Sequence, residues 1–117
     1  ILIVSALFRD IKECARALAN LCSVEKALHA IYRQGGFKTL DTLRHSDCET
    51  CKRYVAIALR FMASSVEVQR SLFADDAFSL YLNMSTSDSL DYQRSAAASF
   101  SSMSQTEEGR LMIKKDG

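Results

Sequence analysis

Residues 17–23 read ALANLCS and residues 58–64 read ALRFMAS, small or apolar at matching places and 41 residues apart. Sliding the whole chain by 41 without a gap pairs Ala15 with Ala56, Ala17 with Ala58, Leu18 with Leu59 and Ser23 with Ser64. Downstream, Phe37 meets Phe78, Ser46 meets Ser87, Asp47 meets Asp88 and Arg53 meets Arg94, while Leu21/Met62, Ile31/Leu72, Tyr32/Phe73 and Leu43/Met84 keep their apolar character. A second slide carries Arg53, Ala56, Met62 and Leu72 to Arg94, Ala97, Met103 and Ile113. Self-similarity at a fixed period of this length marks a chain of stacked units, each burying its apolar face against the next.

Composition fits a packed protein: 48% of residues are hydrophobic and 25% charged, and 15 basic residues stand against 14 acidic ones. The net charge of +1 gives no electrostatic reason to expect nucleic acid or a membrane surface. Arg9 and Asp10 interrupt the apolar start Ile1-Leu2-Ile3-Val4, which reads as the end of a core helix rather than as a signal peptide. No stretch approaches the roughly 20 apolar residues of a membrane span, so no direct membrane insertion is expected. The 117 residues suffice for roughly two and a half units, truncated at both ends.

Within a unit the apolar spacing is helical: Cys14, Leu18, Leu21 and Cys22 share one face, as do Val55, Leu59, Met62 and Ala63. With no proline in the chain, the breaks fall at Ser23, Gly35-Gly36 and His45-Ser46-Asp47, where Ser or Asp can cap the next helix. The pattern predicts helices over 24–34, 36–45 and 48–63, again over 66–75, 77–86 and 89–104, with 9–22 before them and 106–116 after. The fold class expected is all-α. The division is 1–22 for the end of a first repeat, 23–63 and 64–104 for full repeats, and 105–117 for the start of a further one.

A three-helix unit of this length resembles the armadillo repeat. The resemblance rests on Ala15-Arg-Ala-Leu-Ala-Asn20-Leu21, Ile31-Tyr-Arg-Gln-Gly35-Gly36-Phe37, Leu40, Leu43 and Ser46-Asp47, and it covers almost the whole chain. Two departures stand out: Asp75-Asp76 replaces the glycine pair, and Lys38 stands where the family often has proline, so less sharply bent junctions are expected. The resemblance implies a right-handed superhelical solenoid whose concave groove, lined by successive third helices, binds a protein or peptide partner.

On the face opposite the Leu18 stripe, the groove column comprises Arg9, Lys12, Glu13, Arg16 and Asn20, then Thr50, Arg53, Tyr54, Ile57 and Phe61, then Asp91, Arg94, Ser95, Ala98 and Ser102. Lys12, Arg53 and Arg94 make one position basic in all three copies. Import-receptor members of the family clamp basic peptides with recurring tryptophan and asparagine. This chain has no tryptophan, and Asn20 gives way to Phe61 and Ser102. The resemblance is therefore catenin-like, and it implies a scaffold holding an acidic or phosphorylated extended segment against Lys12, Arg53 and Arg94, with Arg16, Asn20, Ile57 and Phe61 lining the floor. The alternative is an autoinhibitory or ligand-sensing armadillo region regulating a catalytic domain elsewhere in a longer chain, as in NAD-cleaving enzymes with a TIR domain.

His45-Ser-Asp-Cys48-Glu-Thr-Cys51 has the C-x-x-C spacing of zinc sites and exchangeable thiols. The repeat argues for the plainer reading, because Ser89 and Tyr92 replace the two thiols and Cys14 and Cys22 fall on another helix's buried stripe. No metal, no cofactor and no catalytic residue is expected: His29 and His45 have no repeated carboxylate or nucleophile partner, and there is no Gly-rich phosphate loop. Unpaired core cysteines fit a reducing, cytoplasmic location, where the Asn83-Met-Ser85 sequon would be idle. Uncovered terminal helices would favour self-association. Leu18, Leu59 and Phe100 are expected in the core, and Gln69 and Ser89 on the surface.

Overall fold

Without proline in the chain, hydroxyl and carboxylate groups mark several of the helix starts, while backbone N–H groups close most of the helix ends. The computed structural model describes residues 10–75 and 77–116. Asp10 Oδ1 accepts from Lys12 N at 2.9 Å and starts α1 (Ile11–Cys22). Val24, with no hydroxyl, leads into α2 (Glu25–Arg33) uncapped, and α3 (Gly36–Leu43) follows. One unit later Ser65 Oγ accepts from Val68 N to cap α5 (Val66–Ala74), ahead of α6 (Phe78–Ser85). Thr106 Oγ1 accepts from Gly109 N at 3.0 Å and opens α8 (Glu107–Asp116). The long helices α4 (Glu49–Ser64) and α7 (Leu90–Met103) are entered by one shared device: Ser46 Oγ accepts from Cys48 N, and Ser87 Oγ from Ser89 N, both at 3.1 Å. Each such bond satisfies a backbone N–H that the helix itself leaves unpaired.

The fold is all-α, with eight helices and no strand among the described residues. Starts at Glu25, Val66 and Glu107 keep the 41-residue interval of the sequence. Residues Ile1–Val4 and Arg9 lie outside the described residues, so the expectations placed on them are neither met nor corrected.

The break between α2 and α3 is a glycine device. Gly35 has φ +87, where an L side chain is strained, and a methyl on Gly36 would sit 2.7 Å from the Ile31 carbonyl oxygen. In strict register Ala77, not Asp76, stands opposite Gly36. The helix breaks there all the same, with Ala77 N donating to Leu72 O at 2.9 Å. Loss of the glycines therefore does not merge α5 with α6.

The long helices lie in a row, α1 on α4 and α4 on α7, and these two packings are the most extensive in the molecule. Cys14, Leu18, Val55, Leu59 and Met62 are buried as their spacing predicts. The row also explains the exceptions. Ala15 and Ala56 are buried whereas Ala97 is exposed, and Met62 and Met103 are buried whereas Leu21 is 42% exposed. The first column faces the following long helix and the second the preceding one, so among the described residues the last copy of one and the first copy of the other go uncovered. Phe100 is only half-buried, resting on Phe78 with ring centroids 5.4 Å apart.

Two surface expectations are corrected. Gln69 is 2% exposed and donates its side-chain amide to the Ala63 carbonyl at 2.5 Å, serving as a polar tie in the core. Ser89 is the cap of α7, accepting from Tyr92 N at 3.4 Å. Period alone could not flag either, because a polar side chain on an apolar stripe looks exposed until its partner is known. Tyr81 is held alike, its hydroxyl donating to Leu59 O at 2.8 Å from a fully buried site.

Because α4 is enclosed from both sides, Leu59→Ala is expected to cost about 2–5 kcal/mol in urea titration. Gln69→Ala should cost about 1–3 kcal/mol, since it leaves a buried carbonyl short of a donor.

Candidate functional site between the long helices

Where α4 meets α7 the side chains do not close the seam. A cavity of about 280 Å³ opens there, lined by Arg53, Ala56, Ile57, Arg60, Asp91, Arg94 and Ser95. Its origin is a size difference at one position. Tyr54 is half-buried and packs against the core, while Ser95, 41 residues later, is small and buried and donates to the Ala56 carbonyl at 2.7 Å. The serine draws α7 close to α4 without filling the space above it.

Three guanidinium groups thus surround one opening, with a single carboxylate, Asp91, among its lining residues. Arg53 and Arg94 are exposed and make no ion pair among the described residues. Arg60 lies over the ring of Phe61, 5.8 Å from its centroid, a cation–π placement. The local field is positive although the chain as a whole is nearly neutral. An opening of this size suits one side chain or one anionic group and is small for a drug-sized ligand.

Of the seven positions singled out from sequence, the structure brings Arg53, Ile57 and Arg94 together. Lys12 lines a separate opening of about 510 Å³ with Asp10, Ile11, Ser46 and Cys48. Arg16 is exposed but paired with Glu13 on its own helix, and Asn20 is exposed on α1. Phe61 is partly buried against the core and lines neither opening. Arg60 was missed because it belongs to the column Ala19, Arg60, Ser101, which has no shared chemistry from unit to unit. Helical spacing alone would have found it, one turn from Ile57 and Ala56.

Across the first helices of successive units, His29 Nε2 lies 3.3 Å from Glu67 Oε2, and 41 residues on Arg70 Nε lies 3.6 Å from Glu108 Oε2. This contact repeats although neither the bases nor their surroundings are identical. No group of three or more His, Cys, Asp or Glu residues able to hold a metal ion occurs among the described residues. Nor is any helix among them long and apolar enough to cross a membrane.

No protein-family model matches the chain, and no curated protein matches it at significance. Among solved structures it is similar to an engineered protein determined by crystallography, with 26% sequence identity and a TM-score of 0.74. That likeness covers 94% of this chain, which spans 28% of the engineered protein's length.

Ser95→Ala removes the hydroxyl tie without adding bulk. It is expected to lower stability by about 0.5–1.5 kcal/mol, measured by thermal or urea unfolding, with the helical content unchanged.

Proposed function

We propose that this chain is an armadillo-type solenoid segment, a protein-binding scaffold that holds an acidic or phosphorylated segment of a partner in the groove between successive long helices. The observation that carries the reading is the pair Arg53 and Arg94, exposed, unpaired among the described residues, and lining one opening together with Ile57 and Arg60. Three-helix units at a 41-residue interval, a glycine junction at Gly35-Gly36 and a row of packed long helices support the solenoid assignment. Neighbouring packed helices stand roughly 8–10 Å apart and an extended chain advances about 3.3 Å per residue. An acidic side chain every third residue therefore meets one long helix after another, reaching Lys12 at its own opening and Arg53 and Arg94 at theirs. Each exposed charge contact contributes about 0.2–1 kcal/mol, so affinity would come from several in register. Buried, unpaired thiols support a reducing, cytoplasmic setting.

The test is a panel of fluorescent peptides, acidic or phosphoserine-containing, with charges at every third position and scrambled-spacing controls. The spaced peptides are expected to bind and to weaken as salt is raised. The double variant Arg53→Glu/Arg94→Glu should bind at least about tenfold more weakly with unchanged circular dichroism and melting temperature. Normal binding by that variant would make the arginine pair an ordinary solvated face and overturn the reading.

The same scaffold reading includes self-association through exposed apolar residues of α1 and α8, supported by Ile11 at 49% exposed and Leu111 at 60% exposed. Sedimentation should show mass rising with concentration, and Leu111→Glu should reduce the effect. A strictly monomeric chain at high concentration would refute it.

A further inference from the structure

Cys48 and Cys51 share a spacing, but the fold treats them differently. Cys51 is 0% exposed, its thiol donates weakly to the Leu43 carbonyl at 3.8 Å and is also hydrogen-bonded with Ser46, and burial pushes it above the ordinary thiol range. Cys48 is only half-buried, occupies the N-cap of α4, and opens on the cavity that contains Asp10, Ile11, Lys12 and Ser46. The sequence reading placed both in the core; the structure places one there and leaves the other within reach of a reagent. An N-cap side chain and the residue three positions on face each other across the first turn, which is why capping boxes use that pair. The Cys48 side chain makes no cap hydrogen bond to α4, and the residue sits at the positive end of that helix's dipole. The remaining thiols are poor competitors: Cys14 and Cys22 are buried on α1, and burial pushes the Cys22 thiol up to about 12.

We propose that Cys48 and Cys51 form a thiol–disulfide exchange site, in which Cys48 is the attacking thiol and Cys51 the resolving one, with a low-molecular-weight disulfide such as glutathione disulfide as oxidant. Cys48, after giving its proton to water, attacks one sulfur of the disulfide. A Cys48–glutathione mixed disulfide forms, and one glutathione thiolate leaves. Cys51 then loses its proton and attacks the Cys48 sulfur, forming the Cys48–Cys51 bond and expelling the second glutathione thiolate; both thiolates take up protons. Two protein thiols are oxidised and one glutathione disulfide is reduced to two glutathione molecules. Closing the bond withdraws the Cys51 sulfur from the Leu43 carbonyl, so the state of the pair is felt at the α3–α4 junction, beside Lys12. Ser89 and Tyr92 occupy these places in the next unit, which confines the chemistry to α4.

The experiment incubates the full chain with excess glutathione disulfide at neutral pH and follows it by intact-mass spectrometry and peptide mapping. Two of the four thiols should disappear, with the mass lower by two hydrogens, no retained glutathione, and the new bond mapped to Cys48 and Cys51. Cys51→Ala should instead accumulate a stable glutathione adduct on Cys48; Cys51→Ser, closer in volume, serves if the alanine variant loses helix. Cys48→Ser should yield neither adduct nor disulfide while keeping its circular dichroism, because serine is a good N-cap. A lasting adduct on Cys48 in the unsubstituted chain would overturn the proposal. So would a bond mapped to Cys14 or Cys22, or no thiol loss at all. None of these outcomes bears on the arginine groove, which the proposal does not use.

Discussion

α4 has to be covered on two sides at once, by α1 on one and by α7 on the other, and this demand sets the rest of the molecule. It asks for a buried stripe wider than a surface helix needs, and Cys51, Val55, Ala56, Ala58, Leu59, Met62 and Ala63 supply one. Alanines at 56, 58 and 63 let the neighbouring backbones approach, while Leu59 and Met62 fill the space between. The shorter helices follow from the same demand. Tyr81 reaches from α6 to the backbone of α4, and Gln69 from α5 to its last turn, so the long helix is tied by hydrogen bonds where apolar packing ends.

The arginine-lined opening is a by-product of how that packing is varied from one unit to the next. Tyr54 and Ser95 occupy equivalent places, and the smaller residue leaves room above the Ala56–Ser95 contact. Arg53 and Arg94 at the rim make no ion pair among the described residues, although Asp91 lines the same opening, and Arg60 lies over Phe61. On α1, by contrast, Arg16 is satisfied by Glu13. The basic column therefore separates into Lys12, at an opening of its own, and Arg53 and Arg94, which share one.

Variation between units also accounts for the chemistry of Cys48 and Cys51. Their equivalents are structural: Ser89 caps α7 with its hydroxyl, whereas Cys48 does not cap α4, and Tyr92 sends its hydroxyl to the Arg44 carbonyl at 2.9 Å, much as Cys51 points its thiol at Leu43. What the cysteines add is a pair of thiols, of which Cys48 is the accessible one. The ladder from His29–Glu67 to Arg70–Glu108 shows the opposite case, a contact retained while its chemical identity changes.

The 41-residue interval and the 3.6-residue spacing within it were enough to determine an all-helical chain, the order of its helices and most of their limits, because both depend on local backbone preference and on which residues avoid water. The stripe of Val55, Leu59 and Met62 was legible for the same reason, and so was the basic column as a column. Other features depended on what stands opposite. Leu21 and Ala97 are exposed and Gln69 is buried according to what stands opposite each among the described residues, which no property of the residue itself encodes. Tertiary packing likewise decided that Arg53 and Arg94 share an opening that Arg60 joins, that Lys12 belongs to another, and that Phe61 rests partly buried against the core. A period assigns a residue to a face; the elements crossing that face decide whether it becomes a core, a seam or a site.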